Sequence, residues 1–380
     1  MKVLVDCSTS KMGGAKTYAE ELLRTLPETH SWLVFGPAGC AREWPRPRAG
    51  IELRERPPGP GGPLGALAWL TRGLPKTAVQ EKAAVVFAAT GFGMMNPVRP
   101  QILLVRNPVY FSDLYLDRAR GPGLRFNLLA RRWLSLKTVR ASQAVIFPTR
   151  AMQEMVERHT PPSRGWHVFP YGCDTRMFHP GTAGAEDLPA PLTPSRGEFL
   201  LNVSHYCAQK NFTVLFQALG LLRERGPVPR LALTTRLQPA PNCNFEEDSA
   251  LIRRNQLSSA VVELGPVPRP AAAALYRAAR LFLFPSYVES FGHPLVEAMA
   301  SGLPVLAADT PVNREICSEA ALYADPFNPS EWADRIEQLL ADGPLRRRLA
   351  EQGLSRARQF DWGRHAAQIA GLCRELSNGS

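Results

Sequence analysis

Residues 285–305 read PSYVESFGHPLVEAMASGLPV and place two carboxylates, Glu289 and Glu297, around a loop that turns into a helix. The preceding residues 281–284, LFLF, form a short apolar run of the kind that a buried parallel strand uses. Pro294 stands where the start of a helix tolerates proline. The segment therefore predicts a strand, a loop and a helix N-terminus.

Such a junction is suited to a sugar joined to a phosphate. The free N–H groups and the positive end of the helix dipole stabilise a phosphate. Phe291 and Gly292 let the backbone approach a ligand closely, and helical spacing puts Glu297 one turn further on, where a carboxylate accepts hydrogen bonds from hydroxyls. The alternative interpretation is that Glu289 is a solvated loop charge and Glu297 a charge on a helix face.

The two glutamates are separated by seven residues, and the run FGHPLVEAMASGLPV lies within and after them. This pattern resembles the signature of glycosyltransferase family 4, whose members have the GT-B fold. The resemblance implies two Rossmann-like, doubly wound α/β domains facing a central cleft, and transfer of a sugar from a nucleoside-diphosphate sugar with retention of configuration. It also implies that Glu297 holds the ribose, that Glu289 faces the donor sugar, and that Phe291, Gly292 and His293 belong to the donor site.

The length of 380 residues suits two domains of similar size. We expect an acceptor-side domain over residues 1–180 and a nucleotide-sugar-binding domain over residues 198–360. The small, polar and proline-bearing composition of residues 181–197 predicts a linker. The resemblance implies that the helix in residues 361–380 returns to the first domain.

Short apolar runs that alternate with helical patterns predict a doubly wound parallel sheet. The predicted strands cover residues 2–6, 51–53, 84–89, 102–105 and 144–148 in the first domain, and 199–203, 230–235, 261–265 and 281–284 in the second. Residues 42–65 are rich in Pro, Arg and Gly and predict an irregular excursion around the second of these strands.

Two positions in the first domain are candidates for substrate contact. Gly13 and Gly14 lie between the first strand and a helix; a glycine pair is more often plain turn chemistry, but the resemblance implies that this backbone approaches the donor diphosphate. After the strand at 102–105 the family has a histidine near the reacting sugar carbon, where this chain has Arg106 and Asn107. Both can donate hydrogen bonds to an acceptor or a phosphate, and we retain them as candidate catalytic residues beside the alternative of a strand-end cap.

Lys210, which precedes a helix of the second domain, is the candidate for neutralising the leaving diphosphate. A lone lysine in that place is otherwise more often a solvated charge. The resemblance implies the diphosphate role, and makes Lys210 and Glu289 the main catalytic candidates. His205 stands where the family usually has an arginine, so its charge is weaker near neutral pH. The resemblance also implies that residues 266–268, with Val267, contact the nucleobase.

No cofactor is expected beyond the nucleoside-diphosphate sugar, linked to UDP or GDP, as co-substrate. The chain has no Asp-x-Asp triplet, the usual carboxylate pair for Mg²⁺ or Mn²⁺ on a sugar nucleotide, which predicts a metal-independent enzyme. Its seven scattered cysteines include no C-x-x-C pair and predict neither a disulfide framework nor a zinc site. The absence of a signal-like N-terminus and of a long apolar run predicts a cytoplasmic protein.

The formal net charge of +11 is concentrated in the first half, where residues 1–190 hold 25 Lys and Arg against 15 Asp and Glu. Within residues 99–150 the helical pattern GLRFNLLARRWLSLKTV pairs apolar with basic side chains. This pattern predicts weak binding to an anionic membrane surface, at the inner face of the membrane. The resemblance to family 4 implies a glycan or lipid-linked acceptor. The alternative is that the apolar stripe packs on the sheet and the charges are solvated.

Three other functions remain as alternatives. A basic chain is typical of nucleic-acid binding, but no RRM signature, zinc-finger spacing or basic heptad accompanies the charge, so no nucleic-acid partner is expected. A catalytically inactive GT-B protein would only bind sugar nucleotides. An epimerase or phosphorylase of the same fold is the third alternative.

Overall fold

The computed structural model describes residues 1–57, 62–163, 165–181, 188–189, 192, 197–240 and 242–378. The chain forms two compact units: the first comprises Met1–Gly172 with Asp361–Ser380, and the second comprises Cys173–Phe360. Each unit has a parallel sheet and a hydrophobic core of its own.

Seven parallel strands form the sheet of the first unit within the described residues. They are β1 Lys2–Asp6, β2 Ser31–Gly36, β3 Ile51–Glu55, β4 Val85–Ala88, β5 Gln101–Leu104, β6 Ala144–Phe147 and β7 Trp166–Val168. The strand order is β3-β2-β1-β4-β5-β6-β7, so the chain reverses its direction of winding between β1 and β4. Ligands of doubly wound sheets bind at such a switch point, beyond the carboxyl ends of the strands.

The helices that follow these strands are α1 Gly13–Thr25, α2 Cys40–Glu43, α3 Gly62–Ala68, α4 Leu74–Gln80, α5 Asp113–Arg118, α6 Pro122–Ala141 and α7 Arg150–Glu157. A π-helical turn, Trp69–Gly73, connects α3 to α4, and a 3-10 turn, Pro108–Tyr110, follows β5. The side chains of α1 that recur at helical spacing, Tyr18, Leu22 and Leu23, are at most 1% exposed and hold this helix on the sheet.

Six parallel strands form the second sheet, again within the described residues. They are β8 Phe199–Asn202, β9 Arg230–Leu233, β10 Val261–Glu263, β11 Leu281–Phe284, β12 Val305–Ala308 and β13 Ala321–Ala324. The accompanying helices are α8 Phe212–Arg225, α9 Phe245–Arg254, α10 Arg269–Ala278, α11 His293–Ala300, α12 Pro311–Cys317, α13 Pro329–Ala341 and α14 Gly343–Ala357. The order β10-β9-β8-β11-β12-β13 puts the switch point between β8 and β11.

The last helix, α15 Trp362–Asn378, belongs to the first unit. The Tyr18 hydroxyl and Nε2 of His365 lie 3.0 Å apart, and Nε2 of His30 lies 3.1 Å from the carbonyl oxygen of Ala370 in α15. Burial lowers the pKa of His365 to about 4, so its ring is neutral at physiological pH. The helix is therefore anchored to α1 by a buried, uncharged contact.

The two units divide after Gly172, earlier than the predicted end of the first domain at residue 180. The reason is that the next residues pack on the second unit: Cys173 N donates to Phe360 O at 3.1 Å, and the Phe178 ring lies edge-on to Tyr276. Most of the linker predicted at 181–197 lies outside the described residues, namely residues 182–187, 190–191 and 193–196.

All nine predicted strands are confirmed, with ends that differ by a few residues. The nine strands predicted from apolar runs do not include β2, β7, β12 or β13. The predicted excursion at 42–65 contains β3 and the start of α3, and its residues 58–61 lie outside the described part of the chain.

Candidate functional site

Two loops meet at the carboxyl edge of the second sheet. Residues 203–211 follow β8 and residues 285–292 follow β11, the two strands that flank the switch point. The loops are joined at Gln209, whose carbonyl oxygen accepts from Tyr287 N and from Ser286 Oγ, both at 3.1 Å. The fold thus brings the segments that contain Lys210 and Glu289 side by side.

Lys210 and Glu289 form an ion pair across these loops, and their side chains are only 18% and 13% exposed. Ser286 Oγ also lies 2.7 Å from the same carboxylate oxygen, Oε1, so its single proton is shared between Glu289 and Gln209 O. Burial alone would lower the pKa of Lys210, but the Glu289 carboxylate outweighs it and the pKa is raised. The pair therefore puts a permanent positive charge beside a negative one at the switch point.

Three buried asparagine side chains hold the backbone of this site in place. The donors are Asn202 Nδ2 to Leu283 O at 2.9 Å, Asn211 Nδ2 to Pro326 O at 2.5 Å, and Asn313 Nδ2 to Ser286 O at 3.3 Å and to Ala308 O at 2.9 Å. These three residues are not among the predicted site residues, because each makes a contact with a segment that is distant along the chain and leaves no local pattern. Buried polar side chains are retained when they satisfy backbone groups, as these do.

Two helices begin at this edge, and neither has a side-chain cap. The N-cap of α11 is Gly292, with φ of +82°, and the N-cap of α8 is Asn211, with φ of +53°. A Cβ at Gly292 would lie 3.0 Å from Cδ1 of Leu295, so glycine suits both the backbone angle and the space. In the absence of a side-chain cap, the positive end of each helix dipole favours an anion at this edge.

Glu297 lies half-buried on α11, one turn beyond this N-terminus. Its Oε2 accepts a hydrogen bond from the Tyr276 hydroxyl of α10 at 3.1 Å. Burial, followed by the charge of Glu297, raises the pKa of Tyr276 well above its usual value, so the hydroxyl stays protonated. Tyr276, which the sequence analysis did not single out, fixes the orientation of one carboxylate oxygen.

The remaining predicted site residues of the second unit lie in loops and at the start of α11, in differing environments. His205 is exposed in the loop after β8; partial desolvation, followed by the charge of Lys210, lowers the pKa of its ring, which is therefore mostly neutral at pH 7. The Phe291 side chain is buried edge-on to Phe360, at 5.5 Å between the ring centroids, so its ring contributes to packing. His293 begins α11, and Val267 is half-buried between β10 and α10.

In the first unit, Gly13 is the first residue of α1 and has φ of +58°, a conformation that favours glycine. Gly14 follows it and is exposed. The N-cap, Met12, provides no side-chain hydrogen bond, so the first turn of α1 is also uncapped. Both glycines lie beyond the carboxyl end of β1, at the switch point of the first sheet.

Arg106 and Asn107 follow β5 and differ in their surroundings. Nη2 of Arg106 donates to Ser10 Oγ at 3.1 Å, and the guanidinium lies 5.9 Å from the Tyr18 ring centroid. This half-buried cation has no ion-pair partner among the described residues. Asn107 Oδ1 accepts from Val109 N at 3.2 Å and so caps the following 3-10 turn. Asn107 thus has the local backbone role that was the alternative interpretation.

Helix α6 has one buried and one exposed apolar side. Leu128 and Val139 are buried, whereas Phe126, Leu129 and Trp133 are 75%, 46% and 58% exposed and recur at helical spacing. We call these three exposed residues the α6 apolar surface. The alternative interpretation, that the apolar stripe packs on the sheet, therefore holds for only part of the helix. Within the described ranges, no helix combines the length and hydropathy that crossing a membrane requires.

A family model described as "Glycosyl transferases group 1" matches residues 185–356, and one described as "Glycosyltransferase Family 4" matches residues 12–176. D-inositol 3-phosphate glycosyltransferase from Corynebacterium aurimucosum is 30% identical over 238 residues, 60% of this chain and 55% of that protein. Mannosylfructose-phosphate synthase from Agrobacterium fabrum is 28% identical over 271 residues, 68% of this chain and 58% of that protein. The chain spans about half the length of the curated relatives it matches.

Solved structures share the fold at low sequence identity. Sucrose-phosphate synthase from Thermosynechococcus elongatus has a TM-score of 0.80 at 17% identity, with 100% of both chains covered. HepE from Anabaena, solved in complex with UDP and glucose, has a TM-score of 0.71 at 20% identity, covering 99% of this chain and 100% of that one. The two Rossmann-like units therefore have the GT-B architecture. Because the two family models together match most of its length, the chain belongs to glycosyltransferase family 4.

Proposed function

We propose that this protein transfers a sugar from a UDP- or GDP-sugar to an acceptor hydroxyl, with retention of configuration and without a metal ion. The observation that carries the proposal is the pair of Lys210 and Glu289 at the switch point of the second sheet, beside two uncapped helix N-termini. These groups supply positive charge for a diphosphate and one carboxylate for a sugar ring. HepE, a structural neighbour, is described with UDP-glucose bound, which supports a donor of this class.

The residues divide between the parts of the donor. Glu297, oriented by Tyr276, suits the ribose hydroxyls because a carboxylate accepts two hydrogen bonds from a diol. Lys210 and the N–H groups at the starts of α8 and α11 suit the diphosphate. The Val267 loop is the proposed contact of the nucleobase, and His205 and His293 border the diphosphate and sugar. In the first unit, Gly13 and Gly14 offer backbone N–H groups to the same anion.

Glycosyl transfer passes through an oxocarbenium-like transition state, with negative charge growing on the leaving diphosphate. Lys210 and the helix N-termini would stabilise that negative charge. Glu289 would orient the sugar and offset the positive charge at its ring. Arg106, which lacks a carboxylate partner, is suited to an anionic group of either substrate.

We further propose a glycan or lipid-linked acceptor, taken from an anionic membrane surface. The α6 apolar surface supports this, because large apolar side chains exposed beside Arg125 and Lys137 match the chemistry of an anionic lipid interface. Relatives named for phosphorylated small-molecule acceptors favour a soluble acceptor instead. Binding of the protein to anionic vesicles distinguishes a membrane-bound acceptor from a soluble one.

The experiment that tests the activity is an incubation of the full chain with a panel of UDP-, GDP- and dTDP-sugars, with release of the nucleoside diphosphate as the readout. We expect release from one base class, with or without EDTA, and at least about 100-fold slower release by Glu289→Gln, the scale for loss of one preorganised electrostatic group. Glu351→Gln, an exposed position on α14, is the matched control.

Three outcomes contradict the proposal. Nucleotide binding without release, even with acceptor mixtures, would identify an inactive binding protein. Release that EDTA abolishes and Mn²⁺ restores would contradict the metal independence. Absence of both binding and release for every donor in the panel would contradict the donor class.

A further inference from the structure

The second unit contains a cavity of about 290 Å³ at the edge of its sheet opposite to Lys210 and Glu289. It lies at the amino ends of β8, β11 and β12, whereas the proposed donor site lies beyond the carboxyl ends of β8 and β11. Its walls come from the end of α10, the residues that precede the three strands, and the start of α14. Four arginines line it: Arg277, Arg280, Arg346 and Arg347.

No acidic residue lines this arginine cavity within the described part of the chain. Two of the arginines are anchored by the backbone: Arg277 donates to Met177 O at 3.4 Å, and Arg346 donates to Leu340 O at 2.6 Å. The other two, Arg280 and Arg347, form no side-chain hydrogen bond or ion pair with the described residues. Two guanidinium groups of the cavity are therefore held by backbone carbonyl groups, and two have no hydrogen-bond partner among the described residues.

The four arginines of the cavity lie close together, and their like charges repel one another. Burial, followed by the nearby charge of Arg280, lowers the pKa of Arg346. A cation near a helix C-terminus is stabilised by the helix dipole, which accounts for Arg277 and Arg280 at the end of α10. The dipole of α14 disfavours Arg346 and Arg347, which lie near its N-terminus. Arg346 is compensated by the carbonyl groups of Leu339 and Leu340 at the C-terminal end of α13 and by the charge of Asp342, whereas Arg347 is exposed and has no such partner among the described residues.

We propose that the arginine cavity binds a small phosphate-bearing anion, either inorganic phosphate or a sugar phosphate. Guanidinium groups bind phosphate oxygens with paired hydrogen bonds, and a phosphate would neutralise charge that no carboxylate in the cavity wall neutralises. The cavity is open to solvent, and its volume of about 290 Å³ accommodates inorganic phosphate or a phosphorylated monosaccharide. This site is separate from the donor site and does not depend on the proposed transferase activity.

Binding of inorganic phosphate and of glucose 6-phosphate to the full chain, measured by calorimetry and thermal unfolding at constant ionic strength, tests the proposal. We expect saturable binding of at least one probe to the wild type, and at least tenfold weaker binding to the double variant Arg280→Gln/Arg347→Gln. The ligand-free double variant should unfold at the same temperature as the wild type or higher, because repulsion between the arginines is reduced. Whichever probe binds more tightly identifies the source of the phosphate.

The double variant Arg253→Gln/Arg254→Gln is the matched control, since it removes two charges from the exposed end of α9 in the same unit. It should bind both probes as the wild type does. Equal binding by the cavity variant and the wild type would overturn the proposal, as would absence of saturable binding of either probe. Loss of phosphate binding in Lys210→Met, with full binding in the cavity variant, would place the phosphate in the donor site and also overturn it.

Discussion

Lys210 and Glu289 neutralise each other in the ligand-free chain, although we assign them to different parts of the donor. A diphosphate that approaches Lys210 must therefore share this cation with a carboxylate that repels it. The two residues are coupled, so changing Glu289 and changing Lys210 should have opposite effects on nucleotide binding, although both changes should slow turnover.

Glu289→Gln should bind the free nucleoside diphosphate about fivefold more tightly than the wild type, yet transfer sugar at least about 100-fold more slowly. Binding improves because the anion no longer competes with the Glu289 charge for Lys210, and transfer slows because the sugar loses its carboxylate. Lys210→Met should weaken both, at a cost on the order of 2 to 4 kcal/mol in the transition state. Calorimetry and steady-state rates measure the two effects.

A thermal unfolding curve for each variant controls for loss of structure, since breaking a largely buried ion pair destabilises a fold. Glu351→Gln should behave as the wild type in both assays. Weaker nucleoside diphosphate binding by a folded Glu289→Gln would contradict the coupling. Unchanged turnover by Lys210→Met would show that the diphosphate is held by other groups.

The sequence predicts the ionisable residues of this site better than it predicts the residues that hold them in place by hydrogen bonds. Glu289 and Glu297 can be recognised in the sequence because the loop, the start of the helix and both glutamates lie within one short segment. Tyr276 and Asn313 are not, because a hydrogen bond between distant segments leaves no local pattern. Asn107 shows the converse ambiguity, since a polar residue after a strand can cap the following turn as well as contact a substrate.

At the scale of elements, α6 has more exposed apolar area than packing on its own sheet requires. Its basic residues also differ: Arg131 and Arg132 both bond to Tyr110, at its hydroxyl and its carbonyl oxygen, whereas Arg125 and Lys137 are exposed. Neutralising the bonded pair would disturb the fold. The exposed pair is therefore the better choice for a test of membrane binding.

We expect the full chain to co-sediment with vesicles that contain phosphatidylglycerol, and to be released as the salt concentration rises. Arg125→Gln/Lys137→Gln should weaken binding by about 2 kcal/mol, since each basic residue at an anionic surface contributes about 1 kcal/mol. Phe126→Ser/Trp133→Ser should weaken it independently of salt, because apolar contact is lost.

Two matched variants of the first unit serve as controls: Arg72→Gln/Lys76→Gln, which removes exposed charge elsewhere, and Leu64→Ser, which removes an exposed apolar side chain. Both should bind vesicles as the wild type does. Absence of binding at low salt, or equal binding by all variants, would contradict membrane attachment through α6 and favour a soluble acceptor.

Strand prediction also had identifiable limits. β11 is read correctly because its four residues are all apolar and a proline follows. β13, the half-buried run Ala321–Ala324, carries no alternation and too few residues to distinguish a strand from a helix. β2 contains a longer apolar run of the same kind as the predicted strands, so the sequence is sufficient to predict it, although the predicted strands do not include it.

At the scale of the whole molecule, composition indicated the number of units but not their boundary. The composition changes at residue 181, whereas the packing changes after Gly172, because Cys173 and Phe178 contact residues that are about 100 or more positions later in the chain. Each unit has the same organisation, with its candidate substrate residues in loops beyond the carboxyl ends of its own strands. The proposed nucleotide site requires residues of the second unit above all.

A calorimetric titration of UDP and GDP into the wild type and Glu297→Gln tests most directly whether the carboxyl edge of the second sheet holds the nucleotide. We predict that Glu297→Gln binds the preferred nucleotide at least tenfold more weakly, because a hydrogen bond to a charged group contributes about 1.5 to 3 kcal/mol. Tyr276→Phe should show a smaller loss, since it only orients Glu297, and Glu351→Gln should show none. Wild-type affinity in a folded Glu297→Gln would contradict the assignment of this site.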